Sequence, residues 1–599
     1  MSTTGHLGAS AQAVLSAAQA LTPLDRAWAD FLCQQIPASH PSQIWLAALT
    51  SHQWGRGHAC LDVAALQTDP ARLLGWNQAD ASALPNDWAE ALASLPWCEG
   101  AYSPMVAHQH RLYLRRAWRA EASIRQQLQA RHQATPESEE LSTPGLDALF
   151  GQADPQSPQH SQRLACGMAL QHRTCIITGG PGTGKTTTVM RLLALLQQAH
   201  GTAPLRVLLA APTGKAAARL NASIAQAHAA LPLGWHTATP AEAQTLHKLL
   251  GWHGHAGPQT APRQLPADVV VVDEASMIDL EMMARLLQAV PAHARLVLLG
   301  DKDQLASVEA GAVMAQLCDG PLLREATATL THSHRFGQDS AIGQWARAVN
   351  AGDRARLQDL WQQASADPGP HFLGVSRWHG GEKSHTLWGP TQVARLRSVW
   401  SAWLQGLSAW PVTDTGSEPV ACSDAQARQG LKDFARLGVL CALREGPWGV
   451  QAFNLGLARS LGLPTGGWYA GRPVVVTRND NALGLMNGDV GLCLPRAANG
   501  KTSLQVAFAD GADGVHWVAP TRLAHVDTAL AMTAHQSQGS EFDAVLLVLP
   551  ERDAPVLSRE LIYTGITRAR HSLGIWAPEP QVWWNACARV TQRSGGLSE

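Results

Sequence analysis

The sequence predicts an α/β protein with two parallel-sheet domains, a mainly helical amino-terminal domain before them and a small β insertion in the second. Three observations support this fold class. A phosphate-binding loop near residue 180 joins an apolar run to a helical pattern. Short apolar runs then alternate with helical stretches, which is typical of a parallel sheet covered on both faces. A second series of the same kind follows in the last third of the chain.

Residues 1–131 are predicted to form the mainly helical domain. Apolar residues recur there at spacings of three and four, for example over 26–36 and 88–95. His58 and Cys60 have no further ligands nearby that would suggest a metal site. We therefore expect a structural or partner-binding domain. Residues 132–161, rich in Pro, Ser and acidic residues, are expected to be a linker with one short helix over 146–150.

The segment CIITGGPGTGKTTT, residues 175–188, is predicted to bind a nucleoside triphosphate. Gly179, Gly184, Lys185 and Thr186 fit the pattern G-x-x-x-x-G-K-[ST]. In that pattern the glycines let backbone N–H groups surround phosphate oxygens, while the lysine and the hydroxyl reach phosphate and magnesium. The apolar run before the loop and the apolar helix after it are the flanks that such a loop requires.

Four apolar runs predict the strands of the first sheet, over 175–177, 207–210, 269–272 and 296–299. Ligands of parallel sheets bind at the carboxyl ends of the strands, so the polar residues that follow these runs are expected to share one site. Asp273 and Glu274 follow the third run, where one carboxylate can hold Mg²⁺ and the other can orient the attacking water. Gln304 follows the fourth run and offers an amide to the γ-phosphate. Thr213 follows the second and is suited either to a phosphate contact or to capping a helix.

A second strand series is predicted over 438–443, 473–477, 544–549 and 573–576. Residues 479–523, which contain many Gly, Asn and Asp turns, are predicted to form a small β-barrel insert. The expected boundaries are 162–335 for the first α/β domain, with an insertion at about 222–266, and 336–599 for the second. Arg335 and Arg568 lie outside the first sheet in this scheme, so we expect them to reach the γ-phosphate only when the two domains close.

The motifs stand in the order found in superfamily 1 helicases. They are Gln162, GGPGTGKTTT, LAAPTGKAAARL, TLHKLLG, VVVDEASM, GDKDQLASVEAG, LTHSHRF, AMTAHQSQGSEFD and LIYTGITRAR. The chain most resembles the RecD family of superfamily 1B, the alpha subunits of RecBCD (exonuclease V) complexes. The resemblance covers roughly residues 162–578 and extends more weakly, through GRGHACL, into the amino-terminal domain. It implies two RecA-like motor domains and an SH3-like β insertion.

The resemblance also implies a role for each matching residue. ATP and Mg²⁺ would be the cofactors, with Gln162 on the adenine, Glu541 on the ribose, Thr186 and Asp273 on the metal, and Glu274 on the attacking water. Gln304, Arg335 and Arg568 would stabilise the transferred charge together with Lys185. The phosphates would be held by Gly179, Gly180, Pro181, Gly182, Thr183, Gly184, Lys185, Thr186 and Thr187. Single-stranded DNA would contact Thr213, Thr245, His247, Thr533 and His535.

The implied activity is ATP-driven 5′ to 3′ translocation on single-stranded DNA at duplex ends during recombinational repair. The expected partners are RecB-like and RecC-like subunits, bound through the domain before residue 132. Carboxylates cluster only at the ATP site, so any nuclease activity should reside in a partner. Two alternatives remain open. One is a free-standing superfamily 1B helicase, and the other is a scaffold subunit with a vestigial ATPase.

Length and composition set broad limits. A chain of 599 residues is too long for one hydrophobic core. The net charge of −1 gives no global signature of a nucleic-acid binder, so DNA would have to bind in a local groove. The ten scattered cysteines favour a reduced protein without structural zinc. No apolar run approaches the roughly 18 residues of a membrane span, and a cytoplasmic location is expected.

Overall fold

The computed structural model describes residues 14–15, 20–133, 143–232, 234–235, 240–251, 262–337, 340–364, 374–378, 389–408, 421–480, 482–498, 501–511 and 514–598. Two sheets in this part of the chain are parallel and two are antiparallel. The predicted α/β class is confirmed. Among the described residues, no helix combines the length and apolar character needed to cross a membrane.

The amino-terminal domain is helical around a small antiparallel sheet of strand order β1-β3-β2, which the sequence did not reveal. Its first helix starts at a capping box, in which Thr22 and Asp25 bond each other's backbone N–H and Pro23 occupies the first helical turn. The elements are α1 (Pro23–Gln35), α2 (Pro41–Gly55), β1 (Cys60–Asp62), α3 (Val63–Thr68), α4 (Pro70–Leu74), α5 (Gln78–Ser82), α6 (Trp88–Ala93), β2 (Met105–His108), β3 (Arg111–Leu114) and α7 (Arg115–Gln133).

The first parallel sheet has the strand order β6-β5-β7-β8-β4-β9. All four predicted strands are present, and β6 and β9 extend the sheet on either side. The elements are α8 (Thr143–Phe150), α9 (His160–Gln171), β4 (Thr174–Gly179), α10 (Lys185–His200), β5 (Val207–Ala211), α11 (Gly214–Ala229), β6 (Gln244–Thr245), α12 (Leu246–Leu249), β7 (Val269–Val272), α13 (Leu280–Ala289), β8 (Arg295–Gly300), α14 (Val313–Asp319) and β9 (Thr327–Leu330).

Two of the predicted segments fall partly outside the described residues. The short helix expected over 146–150 is α8, but residues 134–142 of the expected linker are not described. The insertion expected at about 222–266 begins within α11, which continues to Ala229, and residues 233, 236–239 and 252–261 are not described. The domain boundaries therefore stay predictions.

The remaining elements form the second parallel sheet and an antiparallel sheet. They are α15 (Ala341–Ala351), α16 (Arg354–Gln363), β10 (Gly374–Trp378), α17 (Pro390–Val399), α18 (Ser401–Ser408), α19 (Asp424–Phe434), β11 (Leu437–Cys441), α20 (Val450–Leu461), β12 (Pro473–Val476), β13 (Val490–Ala498), β14 (Lys501–Asp510), β15 (Gly514–Val518), β16 (Val526–Thr528), β17 (Met532–Thr533), β18 (Phe542–Val548), α21 (Arg559–Thr567), β19 (Ala569–Trp576) and α22 (Pro580–Ala588).

One predicted strand belongs to a different sheet. The second parallel sheet has the order β10-β19-β18-β11-β17, whereas β12, predicted as one of its strands, pairs antiparallel with β13 and β16. The segment after β12 folds into turns instead of a crossover helix, so the chain returns antiparallel. A run of four buried residues is compatible with a strand in either a parallel or an antiparallel sheet, so the sequence pattern does not distinguish the two. The β insertion is thus wider than 479–523, and its SH3-like class stays a prediction.

Candidate nucleotide site

The carboxyl ends of β4, β7 and β8 bring three predicted motifs to one cleft. β8 lies between β4 and β7, so the phosphate loop, the Asp-Glu pair and the loop with Gln304 emerge side by side. The cleft has a volume of about 380 Å³. Its lining includes Pro181, Gly182, Thr183, Gly184, Lys185, Thr186, Thr187, Arg219, Asp273, Glu274, Gln304, Arg335, Glu541 and Arg568.

The phosphate loop has the backbone that its glycines permit. Gly182 and Gly184 have φ of 75° and 82°, in the left-handed region that other residues rarely adopt. Lys185 begins α10, and its ammonium donates to the carbonyl oxygens of Gly179 at 2.7 Å and Gly180 at 3.3 Å. The lysine therefore lies along the loop, with its charge at the position where phosphate oxygens would bind.

Gln162 lies on α9 directly behind the loop. It is 3% exposed, and its side-chain amide donates to the carbonyl of Thr183 at 3.2 Å. Arg191 donates to its amide oxygen at 3.3 Å. A Cβ built on Gly184 would lie 2.4 Å from the Gln162 amide nitrogen, so this side chain is packed onto the loop. It does not line the cleft itself.

The two acidic residues after β7 have different environments. Burial and the adjacent Glu274 charge raise the pKa of Asp273 to about 6, although Lys185 and Arg219 oppose the shift. The backbone N–H of Glu274 donates to the Asp273 carboxylate at 2.8 Å. Glu274 has φ of 51°, and this left-handed backbone is uncommon for a residue with a side chain. Residues with strained backbone of this kind cluster at active sites and ligand-binding positions.

Gln304 is positioned by a network that joins the two parallel-sheet domains. Its amide nitrogen donates to Asp301 at 3.0 Å, and Tyr563 of α21 donates to the same carboxylate oxygen at 3.0 Å. Burial raises the pKa of Asp301, which lies in the loop after β8 and does not cap a helix. The Gln304 amide therefore has a fixed partner, and its position depends on α21.

Arg335 lies closer to the phosphate loop than expected. It follows β9, which pairs with β4, and the backbone N–H of His334 donates to the carbonyl of Gly182 at 2.8 Å. A Cβ on Gly182 would lie 2.4 Å from that of Arg335. A strand of the first sheet therefore brings the backbone of Arg335 to the phosphate loop, whereas its guanidinium pairs with Glu541 of the other domain, and its contact with the γ-phosphate stays a prediction.

Arg568 does come from the second parallel-sheet domain, as expected. It is 2% exposed at the end of α21 and donates to the carbonyl oxygens of Ser540 at 3.2 Å and Thr564 at 3.3 Å. The two domains touch nearby, where the N–H of Leu305 donates to the Thr564 hydroxyl at 3.0 Å. The position of Arg568 relative to Lys185 therefore depends on this interface.

Glu541 binds three arginines. Arg335 lies 2.5 Å from its carboxylate, Arg570 lies 3.1 Å away, and Arg219 pairs with it from α11. Arg219 and Arg570 lie within predicted motifs, but the sequence assigns neither of them a role. The signal for Arg219 was present, because Arg219, Ser223 and Gln226 recur at helical spacing along the face of α11 that lines the cleft.

The candidate DNA contacts lie at helix starts and turns. Thr213 caps α11 and Thr245 caps α12, at the ends of the adjacent strands β5 and β6. Thr533 ends β17 in the other domain. Burial lowers the pKa values of His247 and His535, which favours neutral imidazoles at pH 7. These five side chains can donate hydrogen bonds to phosphates, but the histidines supply little charge.

The resemblance to superfamily 1 helicases implies a lysine at position 536, where this chain has Gln536. Its amide oxygen accepts from the backbone N–H of Thr533 at 3.1 Å and from the Thr533 hydroxyl at 3.2 Å. This local turn contains no cation.

Replacing Gln536 with lysine is expected to strengthen binding to single-stranded DNA and to steepen its salt dependence. One added phosphate contact should change the slope of log K against log salt by about 0.7 to 1. Fluorescence anisotropy with a labelled oligonucleotide at several salt concentrations measures both quantities. Gln536→Met, which has similar length and no charge, is the control. Unchanged affinity and slope in Gln536→Lys would show that this position does not meet DNA.

Three family models match separate parts of the chain. They describe an AAA domain over residues 162–310, the RecBCD enzyme subunit RecD N-terminal domain over 17–113 and a UvrD-like helicase C-terminal domain over 528–576. The first model contains the phosphate loop, the Asp-Glu pair and Gln304, and the third contains Glu541 and Arg568, whereas Arg335 lies in neither. The second model lies in the helical domain.

Curated relatives match over most of the length. The chain is 39% identical over 533 residues to the RecBCD enzyme subunit RecD of Mycobacterium tuberculosis, covering 86% of this chain and 84% of the relative. It is 33% identical over 620 residues to that of Haemophilus influenzae, covering 93% and 92%. It is 32% identical over 431 residues to the ATP-dependent RecD2 DNA helicase of Deinococcus radiodurans, covering 70% and 48%.

Among solved structures, the Pif1 helicase from Candida albicans matches with a TM-score of 0.36 at 17% identity, covering 69% of this chain and 93% of that one. A Bacteroides Pif1 helicase in complex with ADP-AlF3 and ssDNA matches with a TM-score of 0.35 at 14% identity, covering 70% and 90%.

Proposed function

Because the chain belongs to the RecD family of RecBCD enzyme subunits, we propose that it is the 5′ to 3′ single-strand DNA motor of a RecBCD-type complex. It is an ATP-dependent DNA helicase. The observation that carries the proposal is the cleft itself, where the phosphate loop, two adjacent carboxylates and arginines from both parallel-sheet domains converge. Hydrolysis in such a cleft depends on how the two domains sit against each other.

The residues of the cleft fit ATP with magnesium. Thr186 and Asp273 offer oxygen ligands, which magnesium prefers, and the remaining ligands would be phosphate oxygens and water. A bound magnesium ion would neutralise charge on the phosphates. Lys185, Arg335 and Arg568 bind and stabilise the transferred phosphoryl group, Glu274 positions the attacking water, and Gln304 senses the γ-phosphate.

The proposed motor converts changes at this cleft into movement of the two domains. Gln304 is tied to α21 through Asp301 and Tyr563, and Arg568 ends the same helix. A change in the contacts of the γ-phosphate is therefore passed to α21 and to the second domain. DNA lying across Thr213 and Thr245 of one domain and Thr533 of the other would be moved by the relative displacement.

The partners that we propose are RecB-like and RecC-like subunits, bound through the domain before residue 132. The nuclease would belong to one of these partners. A free-standing helicase is the second candidate, because the RecD2 DNA helicase of Deinococcus radiodurans is 32% identical, although the chain spans only 48% of that relative. Purification from the native cell, followed by identification of the bound subunits, separates the two candidates.

The proposed activity is tested with DNA substrates of defined polarity. The chain, in its native complex or alone, should hydrolyse ATP faster when single-stranded DNA is added. It should displace streptavidin from a biotinylated 3′ end much faster than from a 5′ end, because the motor moves towards the 3′ end. Displacement from the 5′ end alone would contradict the polarity, and a rate independent of DNA would contradict the motor function.

Magnesium-dependent nucleotide binding should weaken below about pH 6. The pKa of Asp273 is raised to about 6, so protons compete with the metal below that pH and not above pH 7. Affinity for a fluorescent ADP in excess magnesium should therefore fall by up to about tenfold per pH unit below a break, the pH at which affinity begins to decrease. In Glu274→Gln the break should move to lower pH, because the charge that raises the Asp273 pKa is gone. An unmoved break would show that another group controls the titration.

A further inference from the structure

We propose that Arg219 is a positioning residue, which keeps Glu541 paired so that Arg335 is free to bind the triphosphate. This inference rests on the proposed function and adds a residue to it. Arg219 lies on α11 of the first parallel-sheet domain and pairs across the cleft with Glu541 of the second. Its role follows from how three arginines share the two oxygens of one carboxylate.

The sharing is uneven. Arg219 and Arg335 both bind the Oε1 atom of Glu541, whereas Arg570 binds Oε2 through its Nε and Nη2 atoms at 3.2 and 3.1 Å. If Arg335 leaves, Oε1 still has Arg219. If Arg219 is missing, Oε1 has Arg335 as its remaining guanidinium.

Because Glu541 is buried, losing a partner of Oε1 costs more free energy than losing a partner on an exposed carboxylate. The Glu541 side chain is 7% exposed and that of Arg335 is 17% exposed, whereas those of Arg219 and Arg570 are 41% and 50% exposed. Removing one partner of a buried ion pair leaves an uncompensated charge, and this costs far more than breaking an exposed pair. Without Arg219, movement of Arg335 to a phosphate would leave Oε1 without a partner and the buried Glu541 carboxylate with the exposed Arg570 as its one remaining arginine partner among the three. The Glu541–Arg335 pair would then hold Arg335 away from the nucleotide.

Arg335 is otherwise prepared to make the move. Its Nη1 atom is buried and has no hydrogen-bond partner among the described residues. Its backbone is fixed on the loop, where Ser333 donates to the carbonyl of Pro181 at 3.0 Å and His334 to that of Gly182 at 2.8 Å. Only the guanidinium has to turn. A free buried donor beside the phosphate loop is suited to an anionic oxygen.

The experiment compares Arg219→Met with the double variant Arg219→Met/Glu541→Gln, in the full chain with any subunits that co-purify. Methionine keeps the aliphatic stem, and glutamine keeps the shape of Glu541 but cannot hold Arg335 by charge. The kcat and KM for ATP are measured with saturating single-stranded DNA, after subtracting the rate of Lys185→Gln. Arg219→Met should lower kcat about 10- to 100-fold with little change in KM.

The double variant should recover, to within about threefold of Glu541→Gln alone. Arg219→Lys should retain most of the rate, because it keeps a cation near Oε1. Arg570→Met, which removes the partner of the other oxygen, is the matched control and should lose less than about threefold. Affinity for ADP–aluminium fluoride relative to ADP should fall in Arg219→Met and recover in the double variant.

Three results would overturn the inference. The first is a double variant more than about threefold slower than Glu541→Gln alone, which would mean that Arg219 touches the phosphate directly or supports the fold. The second is a loss in Arg570→Met equal to that in Arg219→Met, and the third is a change in KM without a change in kcat. Thermal unfolding of each variant identifies a folding defect. The proposed function fails separately, if the unmodified chain shows no stimulation by DNA.

Discussion

Replacing Arg568 with alanine is expected to lower the DNA-stimulated ATPase rate about 10³- to 10⁵-fold. Arginines that stabilise transferred phosphoryl groups have effects of this size, equivalent to about 4 to 7 kcal/mol of activation free energy. Arg568 is buried in the cleft at the end of α21, and its guanidinium is held by the Ser540 and Thr564 carbonyl oxygens. Steady-state hydrolysis with saturating DNA measures the loss.

The controls separate catalysis from folding. Arg568→Lys keeps the charge but not the planar pair of donors, so it should recover only part of the rate. Binding of single-stranded DNA without nucleotide should stay within about threefold of the unmodified chain, because the candidate DNA contacts lie elsewhere. An Arg568→Ala variant that still hydrolyses ATP at one tenth of the normal rate or faster would remove Arg568 from the catalytic set.

Replacing Lys185 with glutamine is expected to abolish translocation and to lower hydrolysis by at least about 10²-fold. The lysine is the cation inside the phosphate loop, and a neutral amide cannot replace its charge on the phosphates. Assembly with partner subunits should be unaffected, because the proposed partner-binding domain lies before residue 132. Streptavidin displacement and co-purification measure the two properties on the same preparation.

Lys185→Met, with a similar aliphatic chain, should behave in the same way, so that the effect can be assigned to the charge. Loss of partner subunits in either variant would contradict the separation of the ATP site from the assembly surface. Retained displacement of streptavidin would show that a different subunit supplies the movement.

Local patterns predicted most of the first sheet. A phosphate loop is a contiguous segment whose backbone is specified by its own glycines. The strands β4 and β7 are buried throughout, and β5 and β8 are buried over most of their length, so each appears as an apolar run. β9 was missed because it is an edge strand. Its residues Thr327–Leu330 are partly exposed and only the last is fully buried, so no apolar run marks it. Without β9, the sequence alone places Arg335 outside the first sheet and too far from the loop.

The second half of the chain shows the opposite error. The apolar run of β12 was visible, but the sheet that it joins was not, because strand partners are set by the path of the chain after the strand. The short strands β1, β2 and β3 cannot be recognised in the sequence because the apolar spacing around them is helical and the strands are short. Three or four residues are too few for a period to be read.

The sequence by itself determined the position of the phosphate loop, the candidate residues around it and the family that the motifs resemble, since each motif is a short segment with its own geometry. Only the tertiary structure decided which side chains from distant segments meet. Arg219, Arg335 and Arg570 each lie more than a hundred residues from the other two in the sequence, yet they converge on Glu541. Charge pairing across a domain interface depends on packing, and no local pattern encodes it.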